Sequence, residues 1–107
     1  MSKKVVLGNA FSIQMIKGDA LVSFKEVTRE DIKEVLGEGF TSAIGHVDTA
    51  NVLSNMLGVE VVCNRVNVEL DSDTVLYVAQ LTGGRLPEGS TTLPDGFRFK
   101  FYKVERK

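Results

Sequence analysis

The order of apolar and polar positions divides the chain into short blocks. Val5-Val6-Leu7 is a continuous apolar run that predicts a buried strand, broken at Gly8-Asn9. From Ala10 to Ile16, the spacing of Phe11, Met15 and Ile16 fits one or two helical turns with those side chains inward, and Gly18-Asp19 marks a turn. Ala20, Val22 and Phe24 then alternate with Leu21, Ser23 and Lys25, which predicts a second strand. Thr28 followed by Arg29-Glu30-Asp31 reads as a helix start, with Thr28 as the N-cap and acids in the first turn. Ile32, Val35 and Leu36 give that helix one apolar face, and Gly37 and Gly39 end it. A second helix is expected from near Asp48-Thr49, with Ala50, Leu53 and Leu57 at helical spacing. Val52 and Met56 widen its stripe and Gly58 stops it.

The remainder predicts sheet. Val66, Val68 and Leu70 alternate with Asn67 and Glu69, and Asp71-Ser72-Asp73 makes a turn. Val75 to Leu81 is apolar on both faces, as in a central strand. Gly83-Gly84 through Pro94-Asp95-Gly96 holds both prolines and forms a loop of a length that often serves function. Phe97, Phe99 and Phe101 predict a closing strand with one aromatic face, for core or dimer contact rather than base stacking. The class is α/β (α+β): a small single domain over residues 1–107, with a mixed β-sheet and helices on at least one face.

Composition narrows this picture. With 107 residues, 43% hydrophobic and 25% charged, the chain is neither disordered nor fibrous, and its core is small enough to favour burial of a further face in a homodimer. Its longest uninterrupted apolar run, Val75–Ala79, is far too short to cross a bilayer, so no membrane partner is expected. Met1-Ser2-Lys3-Lys4 and the three apolar residues after it are too short for a signal peptide. The lone cysteine, Cys63, allows no internal disulfide, fits a reducing cytoplasm, and reads as a buried hydrophobe. One histidine and one cysteine leave little room for a structural zinc site, and no metal or cofactor is expected. A net charge of −1 and pI near 5.8 lack the basic footprint of a duplex-DNA binder, while leaving room for a small anion in one positive pocket.

The single histidine, His46, stands in Ala43-Ile44-Gly45-His46-Val47-Asp48-Thr49, just before the second helix. A helix start offers free N–H groups and a dipole that attracts phosphate, Gly45 allows close backbone approach, and imidazole exchanges protons near neutral pH. Read alone, His46 fits a surface or capping residue with no chemistry better than a catalytic one. Arg65 and Arg85 carry the planar fork that matches phosphate oxygens, and Glu88 is either an ion-pair partner of Arg85 or part of the same site. Asn9 and Ser12 follow the first strand, where polar groups in α/β sheets meet ligands, although either can simply cap a short helix. Gln80, late in the central strand, needs a partner or a cavity. No P-loop, dinucleotide fingerprint or Ser-His-Asp order is present.

Gly8-Asn9-Ala10-Phe11-Ser12-Ile13-Gln14-Met15, Ser42-Ala43-Ile44-Gly45-His46, Asn64-Arg65-Val66, Leu76-Tyr77-Val78-Ala79-Gln80 and Arg85-Leu86-Pro87-Glu88-Gly89 occur in order. Together they closely resemble the viral ring nucleases that act as type III anti-CRISPR proteins, over nearly the whole chain. The resemblance implies a homodimer that binds cyclic tetra-adenylate, the messenger of type III CRISPR defence, across its interface. It implies cleavage without a metal to linear di-adenylate ending in 2′,3′-cyclic phosphate. It also implies His46 and Glu88 as catalytic residues, with Asn9, Ser12, Arg65, Gln80 and Arg85 lining the pocket. Thr82-Gly83-Gly84 and Pro87 depart from the family pattern in a loop expected to close over the ligand. Two other readings compete: a sponge that binds cyclic oligonucleotides without cutting, and a small dimeric DNA-binding regulator, against which the acidic pI counts.

Overall fold

The first apolar run forms strand β1 (Lys4–Gly8), whose alternation sends Val6 to one face of a sheet and Leu7 to the other. The computed structural model describes residues 3–107. Its other strands are β2 (Val22–Val27), β3 (Thr41–Ala43), β4 (Thr74–Thr82) and β5 (Arg98–Arg106), and the helices are α1 (Arg29–Leu36) and α2 (Val47–Leu57). The sheet order is β2-β5-β4-β1-β3. β1 runs parallel to both its neighbours, β3 and β4, while β5 is antiparallel to β4 and β2. The mixed sheet is therefore parallel on one side of β4 and antiparallel on the other.

Both helices cover one face. Ile32 and Leu36 of α1, with Ala50, Leu53 and Leu57 of α2, pack on Leu7, Val75, Tyr77, Ala79 and Phe101. The opposite face carries Val6, Leu76, Val78 and Val104, and is roofed by Phe11, Met15, Ile16, Val68 and Leu70 instead of a helix. That roof does not reach β2, where Phe24 is 56% exposed and meets the Phe11 ring edge to face, centroids 5.3 Å apart. α1 starts with a capping box: the Asp31 N–H donates to Thr28 Oγ1 at 3.1 Å and the Thr28 N–H donates to Asp31 Oδ2 at 3.2 Å. α2 stops at Gly58 in the left-handed conformation, φ 69°.

Several expectations need correction. Val66–Leu70 forms no strand: only Leu70 is fully buried, and its N–H donates to the carbonyl of Met15 at 2.8 Å, so the segment crosses the roof instead of joining the sheet. The sheet edge is taken by the residues before it, through a bridge between Ile44 and Cys63 and a 2.8 Å bond from the Asn64 N–H to the Ile44 carbonyl. Cys63 is accordingly exposed rather than buried, because the apolar contact of this stretch is made by Val61. The Ala10–Ile16 stretch is a single 3-10 turn, Ile13–Met15, whose cap is Ser12 accepting the Gln14 N–H at 3.3 Å. β2 begins at Val22, leaving Ala20 outside it, and Phe97 precedes β5, so the aromatic stripe in the strand is Phe99 and Phe101.

The turn before β4 sets an acid sensitivity. Asp71 Oδ1 accepts from Thr74 Oγ1 at 2.8 Å and from the Asp73 N–H at 2.9 Å, and these bonds hold its carboxyl below the ordinary value of 3.8. A carboxyl depressed in the folded state stabilises the fold above the unfolded value, and that contribution fades as pH falls through the folded one. Asp71→Asn is therefore expected to shrink the loss of melting temperature between about pH 4 and pH 2. Identical acid limbs for the two proteins would refute it.

Candidate functional site

Because β1, β3 and β4 are parallel, their C-terminal ends open on one edge of the sheet. The chain passes from β3 through α2 to β4, crossing β1, so β1 has its two parallel neighbours on opposite sides. The chain leaves β1 toward the roof formed by Phe11 and Met15 and leaves β3 into α2 on the other face, so the space between these exits is open. Asn9 follows β1, His46 follows β3 and Arg85 follows β4.

Three hollows meet there, and Asn9 lines them all. The largest, about 560 Å³, brings Asn9 together with His46, Thr49, Arg85 and Leu86 on the helix side. A second, about 350 Å³, joins Asn9 to Ser12, Gly45 and Arg65. A third, about 320 Å³, opens on the roofless side and joins Asn9 to Gln80, Phe11, Phe24 and Tyr102. Gln80 is exposed there, in a cavity rather than against a partner. Glu88 alone among the expected residues lines none of the three.

His46 is the N-cap of α2, in an extended conformation, φ −136° and ψ 127°. Its carbonyl accepts from the Ala50 N–H at 3.0 Å, but its side chain makes no capping bond and is exposed. The first-turn N–H groups of α2 have no helical acceptors, which leaves an anion-seeking end beside the imidazole. Arg65 is fixed nearby: its Nε donates to the Gly45 carbonyl at 2.8 Å, leaving the two terminal nitrogens for a ligand. Asn64 anchors that arginine, donating from Nδ2 to the Ser42 carbonyl at 2.7 Å. A Cβ on Gly45 would meet Arg65 Cγ at 3.6 Å, an ordinary contact, so no packing within the protein requires glycine there.

Arg85 and Glu88 ride on the segment between β4 and β5. Its neck is tight: Gly83 has φ 111°, and a Cβ there would lie 2.8 Å from the Gly96 carbonyl oxygen and 2.9 Å from Phe97 Cα. Leu86 is buried at 6% exposure, the Gly89 N–H donates to Asp48 Oδ1 at 3.2 Å, and Asn55 Nδ2 donates to the Thr91 carbonyl. Neither Arg85 nor Glu88 forms an ion pair among the described residues, so the expected alternative of a mutual pair is absent. Also among the described residues, no three His, Cys, Asp or Glu side chains gather as a metal site.

Sequence reasoning missed Thr49, Leu86, Asn64 and Asp48. Thr49 and Asp48 looked like ordinary first-turn residues, and Leu86 like one apolar residue in a polar loop. Chemically, the ensemble offers two arginines, a histidine and an open helix end to an anion, with amides and aromatic rings alongside for bases.

The chain matches the family model described as STIV B116-like over residues 5–97, a span that contains every candidate residue named above. Uncharacterized protein 26 of Sulfolobus islandicus filamentous virus (isolate Iceland/Hveragerdi) is 42% identical over 71 residues, 64% of this chain. That match covers 58% of the viral protein, so this chain spans less than two thirds of that relative. The solved structure of B116 of Sulfolobus turreted icosahedral virus superposes with a TM-score of 0.81 at 30% identity, covering 95% of this chain and 98% of B116. The chain belongs to the STIV B116-like family.

Proposed function

We propose that this protein is a metal-independent ring nuclease that, as a homodimer, binds cyclic tetra-adenylate and cuts it to linear di-adenylate, switching off type III CRISPR signalling. The observation that carries this reading is the hollow in which the only histidine stands at an open helix end with Arg85 and Asn9. The ordered resemblance to viral ring nucleases supplies the substrate class.

A ring of four identical nucleotides contains a two-fold axis, which suits a symmetric dimer presenting the same pocket to both halves. The part of this face that the roof leaves open, near β2, is the natural seat for a second copy, with exposed Phe24 and half-buried Tyr102 beside Asn9 and Gln80. Each protomer then contributes one His46. The ribose 2′-oxygen attacks the adjacent phosphorus, a bond to 2′-oxygen forms, and the bond to the 5′-oxygen breaks, leaving a 2′,3′-cyclic phosphate. His46, as imidazolium, gives its proton to the departing 5′-oxygen, and the 2′-hydroxyl proton passes to water or to Glu88. Arg65 and Arg85 hold the phosphate as charge builds, and the enzyme's main task is to impose in-line geometry. Glu88 takes part when its exposed side chain reaches toward the bound ring.

The test is a cleavage time course with cyclic tetra-adenylate in excess EDTA, followed by chromatography. Accumulating di-adenylate is expected. A ring that binds and stays intact would make the protein a sponge, and a ring that does not bind would remove this reading.

A further inference from the structure

We infer that Asp48 is a positioning residue that holds the Arg85–Glu88 segment over the His46 hollow; this rests on the ring-nuclease reading above. Asp48 is the one carboxylate among the buried polar residues, at 8% exposure. A carboxylate in the first turn of a helix gains from the dipole wherever it points. This one is not spent on its own helix: Oδ1 accepts the N–H of Gly89, 41 residues away and adjacent to Glu88. Gly89 has φ 81°, so the backbone turns sharply at the point where it is held.

A second bond makes the arrangement a strap. Asn55 stands seven positions after Asp48, two turns along the same helix face, and its amide donates to the carbonyl of Thr91. Between the neck at Gly83 and these bonds, buried Leu86 is the apolar anchor of the segment. Arg85 lies directly before that anchor and Glu88 directly before the strapped amide, so both exposed side chains are aimed by fixed neighbours. α2 thus carries His46 at its start and fixes the arginine-bearing segment through its body. One rigid element sets the distance between proton donor and phosphate anchor.

The experiment compares wild type, D48A and D48N by exchange of the Gly89 amide with deuterium, observed by NMR, and by single-turnover and saturation kinetics on cyclic tetra-adenylate. The Gly89 amide is expected to be protected in wild type and D48N, whose side-chain carbonyl still accepts, and to exchange freely in D48A. Cleavage at saturating ring is expected to fall at least tenfold in D48A and to recover mostly in D48N, with melting temperatures of the two variants alike. A freely exchanging Gly89 amide in wild type would overturn the proposal, as would a D48A that cuts at the wild-type rate or a D48N as slow as D48A. If wild type leaves the ring intact, the nuclease reading fails instead, and the exchange arm with ring affinity decides whether Asp48 places the segment for binding alone.

Discussion

His46→Ala is expected to leave binding of cyclic tetra-adenylate largely unchanged while slowing its cleavage by roughly 10²–10⁴-fold, the usual worth of a positioned general acid. The split follows from where the side chain sits. His46 caps α2 through its backbone, and its imidazole makes no capping hydrogen bond, so alanine takes no hydrogen bond from the fold. Arg65, held by the Gly45 carbonyl, and Arg85 remain to grip the phosphates. Titration calorimetry and chromatographed time courses measure the two quantities separately. Equal losses in both would assign His46 to binding and end its role as proton donor. A ring of 2′-deoxy nucleotides serves as the matching control: it is expected to bind and remain whole, because it lacks the attacking oxygen.

Gly83→Ala is expected to be the most damaging small change in the site-bearing segment. A Cβ at this position would stand 2.8 Å from the Gly96 carbonyl oxygen and 2.9 Å from Phe97 Cα, and both obstacles are backbone that no rotamer change moves aside. The φ of 111° adds strain for any residue with a side chain, a class of backbone penalty worth about 1–3 kcal/mol. Thermal melts are expected to show a drop of roughly 4–8 °C for each kcal/mol. Ring affinity should fall too, since the neck governs where Arg85 emerges. The same substitution at Gly45 is the contrast, because its Cβ would meet only Arg65 Cγ at 3.6 Å. If Gly83→Ala melts with wild type, the neck does not hold the segment's shape.

The parts of the fold legible in the sequence are those whose periodicity coincides with their burial. β1, α1, α2 and β4 were readable because Leu7, Ile32, Leu53 and Leu76 each belong to an apolar pattern that the folded sheet buries completely. Thr28 and Gly58 marked helix ends because capping is local chemistry. β3 escaped because Thr41–Ala43 is too short to show a period and is held by its parallel neighbour β1 and by Ser42 Oγ donating to the Val62 carbonyl. Val66–Leu70 misled for the opposite reason, since alternation is necessary for a half-buried strand but cannot supply a free edge to pair with. In the site, His46, Asn9, Arg65 and Arg85 were legible as chemistry near strand ends, but their meeting depends on parallel pairing across the sheet, which no local pattern encodes. Asp48 was invisible as a strap because its partner Gly89 lies 41 residues further on.

The neck at Gly83 and Phe97 bears on how such a protein diversifies. Everything between those residues is a closed loop hung from two adjacent antiparallel strands, β4 and β5, which pair fully beneath it from Thr82↔Arg98 downward. Doubling the length of a flexible loop costs only about 0.6 kcal/mol of closure entropy, less than truncating a single buried leucine. Insertions above the neck that leave buried Leu86 and the bonds at Gly89 and Thr91 in place are thus cheap in stability, while each one beside Arg85 moves that side chain. The hairpin works as an interchangeable fitting on a fixed mount, able to change shape without renegotiating the core.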